Sequence, residues 1–294
     1  MRQRRSQVRH PTIPTASSVL RLVVLMMVLF ASGGDALAQA AVPIVLRLHP
    51  SVGDTMRTLL EQQTEMTMTT PGNAAVPSKS VTTTMAVHSR TIVRAVHSMH
   101  TTVLTVIDSA KMSSTDAHAA ELIVQTQRAL EGQQLLLELG TDGAVESARD
   151  THGVLVPQAL AEAMASMPAV FPKGAVSVGG QWVREMPLPS GGPLGARGAG
   201  NVRATFHFDS LQKGGGMAYL SMRGEILPDT ASQGVELSGT VAGSMQLDRV
   251  RGWMTDSKFV VLVKSLVTPP AEVGVAPMRF MTRVTQRLRT MDKR

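Results

Sequence analysis

From residue 44 onward the apolar positions tend to recur every second residue. In "NVRATFHFDSL" Val202, Ala204, Phe206 and Phe208 alternate with Arg203, Thr205, His207 and Asp209. In "GVELSGTVAGSMQLD" Val235, Leu237, Val241, Met245 and Leu247 alternate with polar partners, and "MAYLSMRGEI" repeats the pattern through Ala218, Leu220, Met222 and Ile226. A period of two with one polar face predicts antiparallel strands buried on one side only. The turn formers "KGGG" (213–216), "LPDTASQG" (227–234) and "LDRVRG" (247–252) separate these runs at the spacing of a meander. The first half reads likewise, with Met56, Leu60, Met66 and Met68 in phase, then Val81, Met85 and Val87, then "TIVRAVH" and "TTVLTVID". "ELIVQTQRALEGQQLLLELGTDGAVES" has a helix-compatible composition, but Gly132 interrupts it. It is read as two strands with a bulge near Glu131-Gly132, turning at "GTDG" (140–143). The predicted helix is "PQALAEAMASMP" (157–168), opened by Pro157 and stopped by Pro168. "PLPSGGPLGARGAG" (187–200) is a loop. In "MRFMTRVTQRLRTMDKR" the apolar residues Phe280, Val284 and Leu288 share one side as a strand or as a helix; Thr and Val content favours a last strand.

The opening phrase occurs twice, as "LHPSVGDT" before residue 56 and "AVSVGGQW" before residue 183. Each is followed by several strand-like runs. The expected organisation is a first β-meander half at 39–156, a helix and connection at 157–173, and a second half at 174–294, together one compact domain.

Residues 1–38 read as a signal peptide. Arg2, Arg4, Arg5, Arg9 and Arg21 precede or enter the apolar stretch "VLRLVVLMMVLFA" (19–31), and Ala36 and Ala38 supply the small residues of a cleavage site. Cleavage is expected after Ala38 or, alternatively, Ala40; the apolar stretch is short of the roughly 20 residues of a membrane span. A periplasmic or extracellular location follows. The chain has no cysteine, so no disulfide staples the fold and no lipid is attached at a cysteine. Removing the leader leaves 24 basic and 21 acidic groups, and residues 279–294 hold six of those bases and one acid. With six Phe, two Trp and one Tyr in the whole chain, stacking platforms are scarce, and no nucleic-acid partner is expected.

The phrases "VGDT", "VSVGGQWVREMPLP", "ATFHFDSLQKGGGMAYLSMRGEI" and "GSMQLDRVRGWMTDSKFVVLV" resemble an uncharacterised family of exported bacterial β-rich proteins of unknown function. The resemblance spans most of residues 44–290 and is stronger in the second half. It implies a curved antiparallel sheet and carries no catalytic residues to transfer. Where the family reads Val-Gly-Asp, the second copy here has Gly180.

Candidate chemistry is sparse. His88, His97 and His100 fall on neighbouring strands, but on a continuous strand the spacing of "HSMH" places its two histidines on opposite faces, against a shared metal. Met66/Met68 and Met164/Met167 could offer thioethers to Cu(I), yet an aromatic-poor core needs methionine as filler. Ser210 and Lys213 match Ser-x-x-Lys at a strand end rather than on the helix that dyad requires, and Asp209, Asp248 and Asp256 suit turn capping. No catalytic residue, cofactor or metal ligand is assigned. The expectation is a mainly β protein, a strongly curved antiparallel sheet or open half-barrel of two similar meander halves with one short helix. Its expected role is a non-enzymatic envelope protein binding a lipid or other apolar ligand, with membrane association at most peripheral. The alternative is a solid-cored module whose partner is another envelope protein.

Overall fold

The structure, a computed structural model, describes residues 42–71, 78–151, 169–187, 200–228, 235–268 and 276–291. Its strands are β1 (Thr55–Thr69), β2 (Lys79–Val96), β3 (His100–Ser114), β4 (Gln134–Gly140), β5 (Val145–Asp150), β6 (Gln181–Pro187), β7 (Gly200–Gln212), β8 (Met217–Pro228), β9 (Val235–Asp248), β10 (Trp253–Val267) and β11 (Met278–Met291). They form one sheet in the order β5-β4-β3-β2-β1-β11-β10-β9-β8-β7-β6, antiparallel at every step. The chain winds outward from β1 to one edge at β5. It resumes at the other edge with β6 and winds back to β11, which pairs with β1 from Arg57↔Met291 to Thr69↔Arg279. The expected antiparallel architecture is present, and residues 278–291 are a strand. Their alternation places Arg279, Arg283, Arg287 and Arg289 on the exposed side.

The period of two decides which face is covered. Across β7 and β8 the residues Val202, Ala204, Phe206 and Phe208 stand beside Ile226, Gly224, Met222 and Leu220, and all but the glycine are buried side chains. The same face continues through Leu237, Val241, Met245 and Leu247 of β9 to Val263 of β10. Fully burying such a side chain is worth about 1.5–3 kcal/mol. Nearer the middle of the sheet this core face carries buried hydroxyls, among them Thr58, Thr91, Ser257 and Thr282. Some pair across strands, as Thr58 Oγ1 does with Ser89 Oγ at 2.8 Å and Thr91 Oγ1 with Thr105 Oγ1 at 3.1 Å. Short polar side chains that satisfy each other can share a face with Val and Leu without an unpaired-group penalty.

Antiparallel alternation gathers the short connections at one end of the sheet: 97–99, 141–144, 213–216 and 249–252, with the turns that open β1 (51–54) and β6 (177–180). An extended segment, residues 43–50, straps this end. Ile44 bridges Val176, Leu48 N donates to Thr141 O at 2.9 Å, and His49 N donates to Gly252 O at 3.0 Å. Alternation serves the strap too. Leu46, Leu48 and Pro50 are buried, whereas Val45, Arg47 and His49 are exposed. Gly252 is required where the strap passes: its φ is +63°, and a Cβ there would lie 2.5 Å from the His49 backbone.

The described helix corrects one expectation. A 3-10 turn, Ala117–Ala119, leads into α1, Ala120–Leu130, where strand had been read. Asp116 caps the turn by accepting from His118 N at 3.2 Å. Gly132 marks a helix terminus rather than a bulge: Glu131 is the C-cap and Gly132 follows at φ +78°. The physical reason lies in strand lengths. β4 pairs only with the His100–Val106 part of β3, leaving the edge beyond it open. The helix end supplies the missing partners there, with Glu131 Oε1 accepting from Ala110 N at 3.3 Å and Gln127 Nε2 donating to Ala110 O at 3.3 Å. The "GTDG" turn between β4 and β5 is as expected, and the helix expected at 157–168 lies outside the described residues.

Two glycine variants separate turn strain from strap contact. Gly214 has φ +64° and nothing within 4 Å of a would-be Cβ. Gly214→Ala should cost only about 1–2 kcal/mol from its left-handed backbone. Gly252→Ala should cost about 3 kcal/mol or more because it also displaces the strap. Urea unfolding of both variants checks the difference.

Candidate functional site

The eleven described strands alternate, which leaves β5 and β6 pointing the same way, so these two strands cannot join as another antiparallel pair. They are brought together at the turn end by a different device. Asp142 O, in the β4–β5 turn, accepts from Val170 N at 2.9 Å and Phe171 N at 3.0 Å. From the other edge, Trp182 Nε1 donates to Val170 O at 2.8 Å, while Arg184 donates to Phe171 O and reaches Asp142 Oδ2 at 3.5 Å. Trp182 stacks on Phe206 with ring centroids 5.6 Å apart, fixing β6 against the core. Residues 170–171 thus act as a clasp between the two edges, and Phe171 is among the largest fully buried side chains. Arg184 Nε is buried there without a partner.

The opposite end of the core face differs in coverage. On β7, β8 and β9 it is buried along its length. On β1, β2 and β3 it is buried near the clasp but only half-buried farther along, and on β11 it is half-buried except at Thr282. The half-buried positions include Met66 and Met68 of β1, Met85 of β2, Met112 of β3, and Met278 and Phe280 of β11, interspersed with Gln62, Thr64 and Thr83. Register groups them, with Met85 opposite Met112 and Met68 opposite Phe280. This surface adjoins the buried core at Val87 and is rich in methionine, the side chain best able to adapt to differently shaped apolar matter.

The other sequence candidates do not assemble into a site. His97 and His100 were expected on opposite faces of one strand. Instead they flank the tight β2–β3 turn, and their ring centroids lie 4.5 Å apart. The turn, absent from a continuous-strand reading, reverses the chain between them. His88 sits mid-strand on β2 beside Leu59 and Ser109. Among the described residues no group of three or more His, Asp or Glu is placed to hold a metal. Lys213 heads the glycine turn at φ +53°, whereas Ser210 stands opposite Tyr219 within the sheet. Asp248 caps its turn by accepting from the amides of Val250 and Arg251, both at 3.0 Å. Asp256 accepts from Arg287 Nη2 at 2.8 Å; this bond and the carboxylate charge raise the pKa of that exposed guanidinium.

One cluster escaped the sequence reading. Asp209 Oδ1 lies 2.5 Å from His207 Nδ1 and accepts from Ser221 Oγ at 2.8 Å. Its signal was the i, i+2 spacing in "HFD" together with the His207↔Ser221 register, and that register needs the strand pairing. The carboxylate occupies the centre. Ser221 donates to the acid rather than to the imidazole, so the order a nucleophile–base pair needs is absent.

The face away from the core carries charge along the strands. Glu185, Arg203, Arg223, Glu225, Lys258 and Arg283 are exposed there. A strand surface meeting lipid would instead be apolar, since a cation at the bilayer midplane costs about 2–4 kcal/mol. A groove of about 410 Å³ is lined by Glu61, Gln63, Lys111 and Arg287 together with Met85 and Met112, two residues of the methionine surface. No described helix is long and apolar enough to cross a membrane.

Residues 155–254 match the model of a family of unknown function (DUF6263). That agrees with the resemblance to an uncharacterised domain, strongest in the second half. No curated protein matches the chain. Among solved structures, DynF from the dynemicin biosynthesis pathway of Micromonospora chersina is 11% identical over 86% of this chain and 88% of that one, with a TM-score of 0.23. The outer membrane protein OprG from Pseudomonas aeruginosa is 9% identical over 82% and 99%, at 0.16. An outer membrane channel from Pseudomonas putida F1 is 9% identical over 83% and 97%, at 0.22. These scores are too low to equate the folds.

The clasp can be tested apart from any ligand. Arg184→Met should speed hydrogen exchange at the Val170 and Phe171 amides by roughly tenfold or more as the clasp opens locally. Arg203→Met, which removes an exposed pair with Glu185 at 2.7 Å, should leave those amides unchanged and stability within about 1 kcal/mol.

Proposed function

We propose that this chain is an exported, non-enzymatic protein of the cell envelope that holds a lipid or similar apolar ligand on the uncovered part of its core face. The observation that carries the reading is the half-buried set Met66, Met68, Met85, Met112, Met278 and Phe280, in which Met68 stands opposite Phe280 and Met85 opposite Met112, with Gln62, Thr64 and Thr83 between the two groups. Exposed apolar area of this kind favours occupation by an apolar molecule, and pockets for small molecules are lined in the same way. Export is supported by the basic start, the apolar stretch at 19–31 and the Ala36/Ala38 pair. The charged opposite face supports a protein in water or at a membrane surface rather than one spanning it.

Native mass spectrometry of residues 39–294, purified gently from the periplasm of an expressing bacterium, tests this directly. The expected result is a discrete adduct, lost on denaturation and identifiable as a lipid. Met66→Gln combined with Met85→Gln should reduce its occupancy about tenfold with the fold intact, since each change places an amide against the ligand. A bare mass at high protein occupancy, under conditions that preserve known protein–lipid complexes, counts against the reading.

A further inference from the structure

The turn end of the sheet bears an anomaly that a lipid on the core face does not explain. Turn crests are ordinarily polar. Here Val52 in the turn before β1, Met99 between β2 and β3, Val178 before β6 and Val250 between β9 and β10 are 64%, 70%, 38% and 81% exposed. Val45 of the strap joins them at 53%. These are separate prongs carried on successive connections, not one flat patch. Each is held by backbone bonds at its base: Gly53 N donates to Val93 O at 3.0 Å, Thr141 N to Met99 O at 3.3 Å, Gly179 N to Phe208 O at 2.7 Å, and His49 N to Gly252 O at 3.0 Å.

Charge at the same end is unequal in its freedom. Asp54 accepts from Ser51 N, Asp142 faces Arg184, and Asp248 is occupied by two amides and Arg251. Glu146 is exposed. Against it stand Arg47, Lys173 and Lys213, exposed and without an ion-pair partner among the described residues.

We infer that this end docks on an anionic membrane surface, the apolar crests entering the headgroup–acyl boundary while Arg47, Lys173 and Lys213 meet lipid phosphates. Spaced apolar tips ringed by unpaired cations suit an interface that is apolar a few ångströms below an anionic layer. A protein partner would call for a contiguous complementary patch. The inference rests on other residues than the ligand reading and stands or falls separately from it.

Vesicle sedimentation decides it. Residues 39–294 contain every element described and lack the apolar 19–31 stretch, which would bind membranes by itself. This protein should partition onto vesicles of phosphatidylcholine mixed with phosphatidylglycerol but not onto phosphatidylcholine alone, and raising salt from about 0.1 M to about 0.5 M should weaken it. Replacing Val52, Met99, Val178 and Val250 together by Ser should reduce partition roughly tenfold or more, and Arg47→Glu with Lys213→Glu should do the same. Unfolding midpoints report whether the variants remain folded. As a measurement that keeps all other tips, Val250→Trp should add blue-shifted fluorescence with anionic vesicles, whereas Leu122→Trp, on the exposed helix away from this end, should not. Equal partition of parent and serine variant, equal binding to both vesicle types, or no partition at all would each overturn the proposal. The last would leave a protein as the occupant of this end.

Discussion

The clasp at Asp142, Val170, Phe171 and Arg184 answers a constraint set by strand count. An odd number of alternating strands has edges that run in the same direction, so the ordinary antiparallel ladder that closes a meander is not available to β5 and β6. The molecule instead spans the gap with two consecutive backbone amides, an indole N–H and a guanidinium. Around that seam the strap, Phe171 and the Trp182–Phe206 stack bury the end of the sheet where all the short turns meet. The cost shows in Arg184 Nε, which is buried without a partner and forfeits about 1–3 kcal/mol by comparison with a satisfied group.

Given that sealed end, the rest of the core face divides into two chemistries. On β7–β9 it is a filled aliphatic and phenylalanine core. On β10, β11, β1, β2 and β3 hydroxyls are interspersed with aliphatics, and on β11, β1, β2 and β3 methionines join them toward the other end. A filled core stabilises by exclusion of water alone, whereas a half-covered methionine surface trades some of that stabilisation for adaptability. The ligand reading and the membrane reading therefore concern opposite ends of one object. The first depends on the incompletely covered end, the second on the crests of the sealed one.

The alternation in residues 202–208, 217–226 and 235–247 made the second half legible because each strand buries one face only. The last strand was legible for the same reason, although Phe280, Val284 and Leu288 also fit a helical stripe; Thr and Val content decided correctly. The misread segment was 120–130, where Gly132 was taken for a bulge. A glycine at φ > 0 serves either role, and only the unequal lengths of β3 and β4 show that a helix end is needed there. The His97–His100 pair failed similarly, because "HSM" lacks the Gly, Pro or Asn that usually marks a turn. The clasp was invisible in sequence. It joins residues from three separate stretches whose proximity follows from strand count and order, neither of which a local pattern fixes.

The pairing of β1 with β11 has a temporal side. The middle of the sheet is made by the first and last described strands, so each half, however regular, ends in an open edge until the whole chain is present. Contacts between distant parts of a chain form slowly because loop closure must precede any reward from pairing. Until β11 arrives, β1 and β10 remain open ladders that other chains could join. A polypeptide organised in this way has a built-in delay between synthesis and completion, and during that interval its safest company is a chaperone rather than its own copies.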